Sequence, residues 1–407
     1  MSLFIKMAWR NIWRSRRRTL ITASSVFFAV ILATVSDSMT KGTHQLMISN
    51  MVKYSTGYIQ LQDKLYDEEP SMDNTLLYSN DIRQLIGGHS DDISYTVPRI
   101  QTFMLASVGN TTRPVLIQGI DPASEVRLNA IDEDLVKGSF LEGDGGVLIS
   151  EGLADRLKLD LGDTLVLIGQ GFQGASAAGL FPVTGIVHLH LPQLNDRMVY
   201  LKLSDAQLLF NAEDRLTSLI ITPKNQGTEV ELVQRMKAGL DPERFNLFTW
   251  REMMPSLLQG LEMDRISGKM MIWLLYLVVG FGILGTVLTM LLERRKEFGI
   301  LLSLGMKRKQ LAIVAFTESL LISFLGVVAG IAGGIPLILY LSHHPFRYTG
   351  DVAKMIESYG MEPVMPFLMD FSVFASQALA VLVIGGLIAL YPVFKVYRIN
   401  ILQAARS

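Results

Sequence analysis

No cysteine occurs anywhere in the 407 residues. This excludes a disulfide scaffold, a thiolate zinc site, a cysteine nucleophile and a lipid-modified N-terminal cysteine. Charge is scarce too. Asp, Glu, Lys and Arg make up 18% of the chain, against roughly 25% in soluble proteins. Neither sign is in excess, since 37 Lys and Arg face 38 Asp and Glu. That balance argues against the basic face of a nucleic-acid binder and excludes an acidic disordered tail. Catalytic signatures are also missing. There is no Gly-x-x-x-x-Gly-Lys-Ser/Thr, and the glycine-rich stretch 143–146 lacks the lysine, so the chain has no P-loop of its own. Neither Gly-x-Ser-x-Gly nor His-Glu-x-x-His is present. His188 and His190 form a His-x-His, but no acidic or cysteine cluster nearby completes a metal site. They read as ordinary strand histidines. The expectation is a non-catalytic chain that binds no metal or cofactor.

Apolar residues are what the sequence has in plenty: 49% of the chain, with a mean hydropathy of +0.33. They are concentrated in long runs. A helix needs about 20 mostly apolar residues to cross a hydrocarbon core roughly 30 Å thick. The stretches 19–40, 270–292, 311–341 and 371–394 meet that requirement. The first is longer than a signal-peptide core and has no clear small-x-small cleavage site, so it reads as an uncleaved anchor. Lys6, Arg10, Arg14, Arg16, Arg17 and Arg18 precede the first run. Arg294, Arg295, Lys296, Lys307, Arg308 and Lys309 lie between the second and third, and Lys395, Arg398 and Arg406 follow the fourth. The loop 342–370 holds only Arg347 and Lys354. Positive residues stay on the cytoplasmic side. Both termini (1–18 and 395–407) and the loop 293–310 are therefore expected in the cytoplasm, and 41–269 and 342–370 outside. Within 1–18, Lys6, Arg10 and Arg14 share one helical line, while Ile5, Trp9 and Trp13 share another. This predicts an amphipathic helix lying at the cytoplasmic membrane surface, in contact with lipid.

The segment 41–269 reads as an α+β domain. Residues 57–62 alternate at period two, and 115–117, 146–149, 164–168, 183–187, 198–203 and 219–222 are further strand candidates. Helices are expected at 151–158, 205–210 and 229–240, with Ser204 capping the second. Residues 41–56 are only weakly periodic, so a continuous amphipathic helix does not follow there, although they could extend the first span as a stalk. The uncharged run 169–180 reads as a flexible hairpin loop. Its functional alternative is a protruding, partner-gripping loop using Gly171, Phe172 and Gln173. Glu318 is the principal ionisable residue inside a span. It either handles a proton or substrate, or snorkels or pairs with a basic residue of the 293–310 loop. Gly326, Gly330, Gly333 and Gly334 give the third span a small face suited to close helix packing.

The loop 293–310 reads E-R-R-K-E-F-G-I-L-L-S-L-G-M-K-R-K-Q. Phe298, Leu301, Leu302 and Gly305 fall at helical spacing, between charges. An apolar helix of this kind needs a surface to bury against: the bilayer, or a groove on a cytoplasmic partner. This motif, the glycine-rich third span with Glu318, W-R-N-I-W-R-S-R-R-R-T-L at 9–20 and F-T-W-R-E at 248–252 together resemble the MacB/FtsX/LolC-LolE permeases of ABC transporters.

The resemblance implies four transmembrane helices, with a Porter/Sabre-like extracytoplasmic domain between the first two, in a bacterial inner membrane. It also implies a second permease copy or homologue and a separate cytoplasmic ATPase subunit that carries ATP and Mg. The 293–310 segment would be the coupling helix, with Glu297, Gly299, Leu302 and Gly305 matching the family motif and Phe298 beside them. The function implied is mechanotransmission for release of a lipoprotein or export of an amphipathic substrate, with a periplasmic chaperone or adaptor as a further partner. The alternative is an FtsX-like regulator that activates a cell-wall hydrolase without moving substrate.

Overall fold

The computed structural model describes residues 3–143, 145–225, 227–358 and 362–398. Asp144 of the glycine-rich stretch and the end of the basic tail, Arg406 included, lie outside the described residues. The chain divides into two compact units. One comprises 1–45, 260–347 and 364–407, and the other 46–259 and 348–363.

The first unit is helical. Its helices are α1 (Leu3–Arg14), α2 (Arg16–Met51), α3 (Pro255–Glu293), α4 (Arg295–Ser303), α5 (Arg308–His343) and α6 (Phe371–Tyr397), and Phe346–Arg347 pairs with Val364–Met365 between α5 and α6. α2, α3, α5 and α6 each carry a window long and apolar enough to cross a membrane. α6 opens on Asp370, whose side chain accepts the Ser372 N–H at 2.9 Å. α5 packs closely on α2. A Cβ added at Gly326 would lie 2.6 Å from Val26 Cβ, and one at Gly330 would lie 2.7 Å from Val30 Cβ. Both valines are fully buried. The small face of the third span is thus a seat for α2.

Two helices run beyond their apolar stretches. α2 continues past the apolar run to Met51 and ends in a π-turn, Val52–Thr56. Once nucleated, a helix gains one hydrogen bond for each residue it orders, so weak periodicity does not stop it. α3 likewise begins at Pro255, ahead of its apolar stretch.

The second unit is built on a ten-stranded mixed sheet. Its strands are β1 (Ile59–Asp63), β2 (Ile93–Val108), β3 (Thr111–Ile120), β4 (Leu135–Gly138), β5 (Val147–Ser150), β6 (Thr164–Gln170), β7 (Ser176–Val187), β8 (Met198–Lys202), β9 (Ser218–Pro223) and β10 (Phe245–Thr249). The order is β10-β1-β9-β2-β3-β8-β5-β7-β4, with β6 bridging β2 and β7. β3 and β8 pair in parallel, as do β5 and β7. The pairings among β2, β3, β8, β5, β7 and β6 close a ring. Its interior holds Ile100, Met104, Ile117, Ile149, Leu167 and Val199. A second core, with Ile59, Leu61, Leu219 and Leu232, lies under β10, β1 and β9.

β2, the longest strand among the described residues, forms where no strand is expected from the sequence. Residues 93–99 pair β9, 99–108 pair β3, and 105–107 also pair β6 on the other edge. The expected helix at 205–210 begins instead at Leu203, with Lys202 at its N-cap. Ser204 therefore sits inside the first turn and caps nothing. His188 and His190 follow the end of β7 rather than lying on it. Apart from such shifts, the fold class is the expected one: four long apolar helices among the described residues, with an α+β unit inserted between the first and second.

Candidate functional site

The segment joining α3 to α5 is a short helix with two chemically different faces. α4 follows directly on Arg294, its N-cap residue. It stops at Leu304, and Gly305 takes φ +97°, a left-handed conformation that glycine adopts without strain. Gly305 is therefore a terminator beyond the helix and no part of its apolar stripe. Phe298, Gly299 and Leu302 are buried. Phe298 and Leu302 join Val287, Leu291, Leu311 and Ala312 in the core of the helical unit. The opposite side exposes Lys296, Ile300, Ser303 and Leu304, with Leu304 78% accessible. Apolar residues exposed at the end of a short helix between charges suit burial against a partner.

Charged contacts tie α4 to its neighbours. Glu297 ion-pairs with Arg14 of α1. Just upstream, Glu293 meets Arg18 at 2.5 Å. Beneath them, Arg294 Nη1 donates to Glu318 Oε2 at 2.7 Å, and both side chains are at least nine-tenths buried. Asn11 Nδ2 also donates to Glu318 Oε2, at 3.4 Å. Arg294 Nη2 reaches the Asn11 carbonyl at 3.4 Å. α1 is seated by Ala8 and Ile12, both essentially inaccessible, while Trp9 and Trp13 remain about half exposed. A cleft of about 290 Å³ lies among Met7, Asn11, Arg14, Glu297, Ile300 and Leu301. The expected pairing of Glu318 with a basic residue of the 293–310 loop is met by Arg294, while the contact from Asn11 was not foreseen. A carboxylate near a span's end needs a countercharge, and Arg294 is the first basic residue of the preceding loop.

The 171–173 loop is less free than its composition implied. β6 and β7 remain paired up to Gln170 opposite Ser176, which leaves five residues as the turn. The Phe172 N–H donates to the Phe210 carbonyl at 2.8 Å. The Gln173 N–H donates to Asp73 at 2.5 Å. The Arg215 guanidinium stacks 4.0 Å above the Phe172 ring. Gly171 is buried and Gln173 is exposed. The long flexible loop is thus replaced by a short, pinned turn, because the small residues on either side extend the strands.

Among the described residues, no group of three or more His, Asp or Glu side chains is arranged to hold a metal. His188 pairs with Glu151 at 2.6 Å. His190 Nε2 lies 3.1 Å from Asp134, and its Nδ1 lies 3.6 Å from Glu362. Hydrogen bonding to Glu362 is the main influence raising the His190 pKa above that of a free imidazole. Asn50 and Tyr54, at the end of α2 and in its π-turn, complete this cluster by donating to Glu362 at 3.3 Å and to Asp134 at 2.7 Å.

Two family descriptions match the chain. Residues 19–238 match the MacB-like periplasmic core domain, and 269–401 match the FtsX-like permease C-terminal region. An uncharacterized ABC transporter permease of Mycobacterium tuberculosis is 28% identical over 248 residues, 59% of this chain and 28% of its own length. Another, from Methanocaldococcus jannaschii, is 26% identical over 210 residues, 49% of each. The chain thus spans less than two thirds of either relative. The periplasmic region of MacB from Actinobacillus actinomycetemcomitans superposes with a TM-score of 0.37 at 16% identity, covering 51% of this chain and 95% of that one. The extracellular domain of the noncanonic ABC-type transporter YknZ gives 0.34 at 15% identity, covering 47% of this chain and all of that one. With both halves of the family's architecture matched in order along one chain, this protein belongs to the MacB/FtsX family of ABC transporter permeases.

Proposed function

We propose that this permease couples ATP turnover on a separate cytoplasmic ATPase subunit to movement of its α+β unit, for release or export of a lipoprotein or another amphipathic molecule. The two-faced α4 carries this reading. Its outer residues, Lys296, Ile300, Ser303 and Leu304, would sit in a groove on the ATPase. Its inner residues, Phe298 and Leu302, would pass displacement to α3 and α5 through direct packing. Glu297 would act from the side by holding α1 against α4. The Lys and Arg distribution supports a cytoplasmic position for α4 and both termini in a bacterial inner membrane. ATP and Mg would bind the partner, and a second permease copy or homologue would complete the assembly.

The test uses the intact complex in lipid nanodiscs. Ile300→Asp with Leu304→Asp should remove the ATPase from the purified permease or abolish stimulated turnover, while membrane insertion stays normal. Retention of both the subunit and full stimulation would rule out α4 as the coupling element. Gly305→Pro is a second probe, because proline cannot adopt a positive φ. It should likewise abolish stimulated ATPase activity.

A further inference from the structure

We propose that Arg294, Glu318 and Asn11 form a positioning joint that fixes the direction of α4 relative to α1 and α5. The inference rests on the coupling reading above and deepens it. Apolar packing through Phe298 and Leu302 passes displacement on but is non-directional. A buried hydrogen-bonded ion pair is directional, because each charge left without its partner in a low-dielectric site is strongly disfavoured.

The placement of the three residues is what makes the joint informative. Arg294 sits between the last residue of α3 and the first of α4, where the chain changes direction. Its guanidinium holds that corner to Glu318 of α5 with one nitrogen and to the α1 backbone with another. Asn11 returns a bond to the same carboxylate oxygen. Three elements therefore meet at a single atom, Glu318 Oε2. Two further pairs, Arg14 with Glu297 and Arg18 with Glu293, flank this buried contact. Arg14 and Glu297 are exposed, so their pair adds to the hold on α1 only weakly by itself, while Arg18 is mostly buried against exposed Glu293. Displacing α4 would have to carry α1 and α5 with it or break the buried pair, so the joint turns a local push into movement of several helices. This assigns Glu318 a mechanical role instead of a substrate- or proton-carrying one.

Stability and positioning can be separated experimentally, because replacing both members of a buried pair with apolar residues is often neutral for stability. The chain has no cysteine, so Leu20→Cys on α2 and Arg295→Cys on α4, both at exposed sites, would carry spin labels without background. Labelled complexes in nanodiscs give the α2-to-α4 distance distribution, and unlabelled ones give stimulated over basal ATPase turnover. Arg294→Met with Glu318→Leu should keep the wild-type melting temperature, broaden the distance distribution and lower the stimulation ratio roughly five- to tenfold. If that variant loses its cooperative melt, the exchanged pair Arg294→Glu with Glu318→Arg replaces it, and should restore both readouts. A sharp distribution with full stimulation in the apolar variant would overturn the proposal. So would a broad distribution with full stimulation, or failure of the exchanged pair to restore either readout. Failure of the coupling reading itself shows separately, as full stimulation in the Ile300→Asp, Leu304→Asp protein.

Discussion

Single residues in the α+β unit set sharp energetic tests. Arg99 is 1% exposed and makes a two-pronged contact with Glu125, itself fully buried, at 2.5 and 3.0 Å. Its remaining nitrogen donates to the Ser55 carbonyl in the π-turn at 2.8 Å. Glu125→Ala would leave an uncompensated buried guanidinium, and should cost about 3–5 kcal/mol. Thermal unfolding of the purified protein checks this. A fall no larger than that of a surface control such as Glu243→Ala would contradict it. His190 gives a pH dependence. Its folded pKa is raised, so its contribution is complete below the unfolded imidazole value, near 6.5, and is lost as pH rises through the higher folded value. Amide exchange in 348–358, corrected for intrinsic rate, should therefore accelerate across that window, and His190→Ala should remove the step. The charged groups facing His190 are Asp134 and Glu362, while His188, paired with Glu151, stands beside it.

At the scale of elements, the apolar runs and the glycine face were readable because burial in lipid or against another helix imposes length and periodicity on local sequence. Gly326 illustrates this. Its neighbours, Val26 Cβ at 2.6 Å and the Ala23 carbonyl at 2.8 Å, leave no space for a side chain. Gly326→Leu should destabilise the α2–α5 contact by about 1–3 kcal/mol, read as a lowered melting temperature in detergent. Gly285→Leu in α3, which meets nothing nearby, is the matched control and should change little. Elsewhere local pattern misled. The stretch 169–180 looked like a loop because Gly, Ala and Ser have low strand propensity. Most of it is strand, because pairing with β6 satisfies its backbone whatever its side chains. α4 is a helix of nine residues, but the apolar stripe expected to bury against the bilayer or a partner turns inward: Phe298, Gly299 and Leu302 are buried within the chain, since apolar residues on several sides of a short helix do not say which side is inward.

For the whole molecule, the sequence by itself determined the number of apolar helices, the mixed domain inserted after the first of them, and the charged loop that follows the second. These follow from composition and short-range periodicity, which act within a few turns of chain. Only the tertiary structure decided that Arg294 answers Glu318, that Phe298 and Leu302 face inward while Ile300 and Leu304 face out, and that β2 takes part in both cores of the α+β unit. Each of these is set by packing between different elements of the fold. Its free energy depends on three-dimensional proximity in a low-dielectric or close-packed setting, which leaves no periodic trace in either element alone.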